Sequence, residues 1–114
     1  MGLNSYLFAT KVSNPNDLGE DLNHFMIKEW RKNYELNHWM YRHYQRKTGI
    51  FGRKYDIFDG VWFELTIDDL KKLRDDIICN RVRLGEYIHT SFEFVDIAMA
   101  KVRKGNHIFY LMDG

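Results

Sequence analysis

Between Leu22 and Tyr44 the apolar side chains Leu22, Phe25, Met26, Trp30, Leu36, Met40 and Tyr44 recur at intervals of about three and four, and no proline interrupts them. That spacing predicts helix over residues 18–46, as one helix or as two with a break near Ile27 to Trp30. At about 100° per residue, Trp30, Tyr34, Leu36, Asn37, Met40, Tyr41 and Tyr44 share one arc. Arg31, Lys32, Glu35, His38, Arg42 and Arg46 share the other. Trp39 falls among the charges, where it is either a docking anchor or the roof of a second packing contact.

The remaining patterns are shorter. Leu3 to Val12 reads as a strand that ends in the turn Ser13-Asn14-Pro15-Asn16-Asp17. Asp59-Gly60 separates Lys54-Tyr55-Asp56-Ile57-Phe58 from Val61-Trp62-Phe63-Glu64-Leu65, which predicts a 54–65 hairpin with Phe58 opposite Val61 and Ile57 opposite Trp62. Thr66 is placed to cap a helix reaching to about Cys79, with Leu70, Leu73 and Ile77 as its buried stripe and its aspartates and lysines at the surface. Thr90-Ser91-Phe92-Glu93 fits a capping box ahead of a second stripe, Phe94, Val95, Ala98 and Val102, and Gly105 ends that helix. His107 to Met112 closes the chain as a strand. These elements predict a single α+β domain over residues 1–114, with a small antiparallel sheet of about four strands and about three helices packed on one face.

Composition adds two constraints. At 114 residues the chain is long enough to bury one core unaided. Its 16% aromatic content points to either a heavily aromatic core or an adhesive surface. Net charge is only +1, which argues against whole-molecule attraction to nucleic acid or to an anionic membrane. Locally, residues 41–55 carry Arg42, His43, Arg46, Lys47, Arg53 and Lys54 and no acid, whereas residues 56–76 are rich in aspartate. Cys79 stands alone and is expected to be a small buried hydrophobe. The lack of an apolar span near 20 residues and of a secretory leader pattern leads us to expect a cytoplasmic protein. Met1-Gly2 opens like a myristoylation signal, but Tyr6 stands where that motif needs Ser or Thr.

No catalytic or cofactor signature emerges. His38 and His43 are five apart, which does not align two metal ligands on one helix face, and no metal or cofactor is expected. Gly49-Ile50-Phe51-Gly52-Arg53-Lys54 lacks P-loop spacing. The stripe Arg31, Glu35, His38, Arg42 has two readings. In one, Glu35 pairs with the two arginines. In the other, Arg42 and Arg46 grip an anionic group while Trp39 stacks on a base or another aromatic ring.

The opening Met1-Gly2-Leu3-Asn4-Ser5-Tyr6-Leu7, with Trp30-Arg31-Lys32 and His38-Trp39, resembles a group of small bacteriophage-encoded proteins that begin MGL-x-x-YL and carry a WRK…H-W segment. Phe63-Glu64-Leu65-Thr66 leading into a helix, and the aromatic closing strand, are similar too. The basic stretch from Tyr41 to Tyr55 departs from that group's pattern. The resemblance implies a phage origin and action in the cytoplasm of an infected bacterium.

Three functional expectations follow. The first is a non-catalytic accessory protein that binds and modulates a host protein through Trp39, Arg42 and Arg46, with Trp62 as a further anchor. The second is a nucleotide- or single-stranded nucleic-acid-binding module in which Trp39 works with the 42–54 basic segment, Arg53 and Lys54 included. The third is an enzyme built on His38 and Glu35. Arg31 completes the candidate binding set, and a second copy of the chain is the competing partner for exposed aromatics.

Overall fold

A computed structural model describes residues 3–14, 25–50, 58, 60–79 and 93–113. In chain order the elements are β1 (Asn4–Thr10), β2 (Met26–Arg31), α1 (Tyr34–Thr48), β3 (Phe63–Leu65), α2 (Ile67–Ile78), α3 (Glu93–Arg103) and β4 (His107–Asp113). The four strands form one antiparallel sheet in the order β2-β1-β4-β3, so β1 and β4 are its centre. The α+β architecture expected from the pattern is the one observed.

One stretch differs. Residues 26–31 extend along β1, with Ser5 opposite Trp30 and Leu7 opposite Lys28, where helix was expected. Met26, Ile27 and Trp30 fit a helical stripe, but they fit a half-buried edge strand equally, and pairing with the central strand decides the matter. The chain leaves the sheet at Lys32, whose φ of 55° is the left-handed region and whose N–H donates to the Leu3 carbonyl at 2.7 Å. Asn33 then accepts from the Leu36 N–H and caps α1. An asparagine at the cap with Glu35 in the first turn is a start signal the sequence carries, masked by the longer periodicity. Gly49, at φ 71°, closes the helix in the left-handed conformation that glycine favours.

All three helices pack on one face of the sheet. Leu7 of β1 and Ile108, Tyr110 and Met112 of β4 meet Leu36, Met40 and Tyr44 of α1, Leu70, Leu73 and Ile77 of α2, and Phe94, Val95 and Ala98 of α3. The α2 and α3 stripes are therefore the expected ones. On the opposite face Phe8 and Phe109 stand in register and are buried, with Trp62 5.2 Å from Phe8 and 6.1 Å from Phe109 between ring centroids.

The 54–65 hairpin is only partly within view, because residues 51–57 and 59 lie outside the described residues. Phe58 and Val61 are joined by a backbone hydrogen bond of 3.2 Å around Gly60, at φ 74°. The strand that follows is shorter than expected, Phe63–Leu65, and its described partner is β4. The Thr90 capping box also lies outside the described residues. Cys79 is exposed at the C-terminus of α2 rather than buried, because the α2 stripe ends at Ile77 and the next two residues turn outward.

A buried polar link ties α1 to the sheet. Tyr110 donates its hydroxyl to Asn37 Oδ1 at 2.7 Å, and the Asn37 amide donates to the Met112 sulfur at 2.9 Å. Both side chains are fully buried. We expect Asn37→Ala to remove the Oδ1 acceptor of the Tyr110 hydroxyl and the amide donor to Met112, at a cost of about 2–3 kcal/mol, and Tyr110→Phe, which keeps the ring, to cost about 1 kcal/mol less than that. The midpoints of urea unfolding check the order.

Candidate functional site

Helices α1 and α2 lie side by side in opposite directions, since Trp39 meets Asp76 and Lys47 meets Asp69. Their inner contact is built on one carboxylate. Asp69 is buried, and its Oδ1 accepts from His43 Nε2 at 2.6 Å while Oδ2 accepts from Lys47 Nζ at 2.6 Å and from the Thr66 N–H at 2.8 Å. The Thr66 hydroxyl in turn accepts from the Asp69 N–H, completing the capping box of α2. Burial by itself pushes the Asp69 carboxyl up, but the Lys47 ammonium, the Thr66 N–H, His43 and the Thr66 hydroxyl outweigh it and hold the pKa at about 2 against an ordinary 3.8. Asp69 was expected at the helix surface. A helix-facing-solvent pattern cannot reveal a partner supplied by another helix.

The same contact explains Trp39. The indole is buried, 9% exposed, with its N–H donating to Asp76 Oδ2 at 2.7 Å and its ring stacked on His43 at 4.9 Å and 21°. It is thus the roof of a second packing contact, and the docking-anchor reading is overturned. Trp39 and His43 are four apart, so they share a face, and that face belongs to α2 while the Leu36, Met40 and Tyr44 face belongs to the sheet. Tyr34, expected in the buried arc, is instead 54% exposed, because α1 begins there and its first turn projects past the core.

Above this contact a shallow groove of about 410 Å³ runs between the helices. From α1 come Glu35, His38, Arg42 and Arg46 with an edge of Trp39, and from α2 come Lys72 and Asp76. Five of the nine residues singled out from the sequence therefore meet in one place: Trp39, Arg42, Arg46, Glu35 and His38, while Trp62 packs against Phe8 and Phe109 on the far face of the sheet. Arg31 does not join them. It sits on β2, highly exposed, with its Nε 3.9 Å from Glu29, so the expected Arg31–Glu35–His38–Arg42 helix edge is broken by the strand. Arg53 and Lys54 lie outside the described residues. Lys72 and Asp76 are the groove residues that the sequence did not single out. Their signal was present in the i,i+4 charge pattern of α2, but which side of that helix faces α1 is a tertiary fact.

The groove is graded in charge. Asp76 sits level with Trp39, and Glu35 one turn before it. Arg42 and Arg46 follow along α1, so Glu35 and Arg46 are about 16 Å apart on the helix axis. Lys72, one turn from Asp76, faces the cationic end. Among the described residues no ion pair engages Arg42, Arg46 or Lys72. Three cations thus line one open groove, with none of them held in an ion pair among the described residues. Among the described residues no Ser, Thr or Cys lines it, and no three His, Cys, Asp or Glu side chains gather as a metal site.

Two outcomes test this reading of the contact. Because the folded pKa of Asp69 lies below the unfolded value, its contribution, roughly 2 kcal/mol, is complete above about pH 4 and is lost as pH falls toward about 2. Asp69→Asn should flatten that part of the acid-unfolding curve and cost about 2–4 kcal/mol at neutral pH, because His43 and Lys47 lose a buried partner. Trp39→Phe should cost about 1–2 kcal/mol by removing the indole N–H that Asp76 Oδ2 accepts, measured by chemical denaturation.

Comparison of the chain with protein-family models, with curated proteins and with solved structures found no match.

Proposed function

We propose that this chain is a non-catalytic binding protein that docks an acidic surface of a partner protein on the groove between α1 and α2. The partner, in keeping with the MGL-x-x-YL and Trp-Arg-Lys…His-Trp resemblance, is a protein of an infected bacterium whose activity the docking modulates. The observation that carries this reading is the convergence of Arg42, Arg46 and Lys72 in a groove where no described ion pair engages them. Arginine is strongly represented among residues that anchor interfaces, and unneutralised charge also speeds the encounter with an oppositely charged surface.

The competing readings lose support from the same geometry. A nucleotide-binding role relied on the Trp39 face as a stacking platform, and His43 already covers it. An enzyme built on His38 and Glu35 would be left with general acid–base chemistry alone, because the described lining of the groove supplies no hydroxyl or thiol nucleophile. No helix among the described residues is long and apolar enough to cross a membrane.

The test is capture from bacterial lysate by the immobilised full chain at low salt. A protein retained by the wild type and by Arg31→Glu, which lies off the groove, should be lost with the double variant Arg42→Glu/Arg46→Glu and released as salt rises. Retention that the double variant leaves unchanged overturns the reading.

A further inference from the structure

We infer that the cationic end of the groove holds a single phosphoryl group carried on a side chain of the partner protein. This rests on the docking reading above and names the chemistry the partner must present. Arg42 and Arg46, four apart on α1, project from neighbouring turns, and Lys72 faces them from α2. Two guanidinium forks and an ammonium offer more donors than one carboxylate has acceptor sites to use. A phosphoryl group, with three acceptor oxygens and a charge of about −1.5 to −2 at neutral pH, matches that set in charge and in geometry.

The acidic end limits the ligand to one such group. Asp76, level with Trp39, and Glu35, one turn before it on α1, line the same groove. A polyanionic strand running along the groove would bring its next phosphates against these carboxylates, so a repeating nucleic-acid backbone is disfavoured where an isolated phosphoryl group is not. A free nucleotide fares no better, since the Trp39 ring is stacked on His43 and its N–H is engaged by Asp76. A polypeptide satisfies both ends, with its modified residue at Arg42, Arg46 and Lys72 and a basic or hydrogen-bond-donating residue toward Glu35 and Asp76.

Lys47 sharpens the assignment. It lies on the same helix, one residue beyond Arg46, yet its charge is consumed by buried Asp69. The fold thus neutralises the cation that faces the core contact and leaves unpaired, among the described residues, the three that face the groove.

The experiment is an NMR titration of the full chain, first with inorganic phosphate and, at matched ionic strength, with acetate. Phosphate should shift the Arg42 and Arg46 side-chain Nε resonances saturably, acetate should not, and Arg46→Gln should weaken phosphate binding by about tenfold or more. Equal responses to the two anions, or phosphate-induced backbone amide shifts around Lys72 that are unchanged in Arg42→Gln/Arg46→Gln, overturn the inference. A serine-phosphorylated peptide with an adjacent arginine should bind more tightly than its unphosphorylated form and than a short single-stranded oligonucleotide. Tighter binding of the oligonucleotide would overturn the assignment to a protein ligand. Phosphatase treatment of the captured partner separates the two levels. Loss of capture supports the phosphoryl assignment, while capture that survives phosphatase yet is lost in the charge-reversed variant overturns that assignment and leaves the docking reading standing.

Discussion

The carboxylate of Asp69 is the constraint from which the arrangement of the helices follows. One side chain caps α2 through Thr66 and fastens α1 through His43 and Lys47, so the start of one helix and the end of the other are fixed to the same two oxygen atoms. A buried carboxylate is tolerable only when its acceptor sites are filled, and here they are. Removing a single donor would leave charge in an apolar setting, so α1 and α2 cannot slide past one another cheaply. The groove above them inherits this rigidity. Its cations project from two helices whose relative position the buried Asp69 contact holds.

This arrangement divides the charges of α1 by role. Lys47 and His43 point toward α2 and serve the fold, as does the indole N–H of Trp39 with Asp76. Arg42 and Arg46, interleaved with them along the chain, point outward. A binding surface made of exposed residues outside the described ion pairs can lose affinity at little cost in stability, which is why charge at these positions separates the two.

The aromatic surplus is used mainly inside. Trp30 packs edge-on to Phe94 at 4.9 Å, Tyr44 and Tyr110 flank Phe58 at 5.1 and 5.9 Å, and Phe8 and Phe109 are buried on the other face of the sheet with Trp62 beside them. Of the two roles open to such a composition, core and adhesive surface, these rings take the first. Large rings suit a small domain because each buries much apolar area for few ordered torsions. The buried Asn37–Tyr110 pair then fixes how α1 sits on the central strand, a specificity that apolar contacts alone would not impose.

What the sequence determined by itself is local. The Thr66 cap, the stripes Leu70-Leu73-Ile77 and Phe94-Val95-Ala98, the glycine stops at Gly49 and Gly105, and the first and last strands are set by propensity, periodicity and capping within a few residues of each position. The basic character of Arg42 and Arg46 was equally plain. What only the tertiary structure decided depends on partners far along the chain. Met26 to Arg31 became a strand because β1 was beside it. Trp39 went inward because α2 covers a second face of α1, and Asp69 went inward because His43 and Lys47 were there to hydrogen-bond its carboxylate. Lys72 joined the groove because α2 turns that side toward α1. Periodicity reports which residues share a face, but a helix packed on two neighbours has two buried faces, and the identity of the second neighbour is written nowhere in the local pattern.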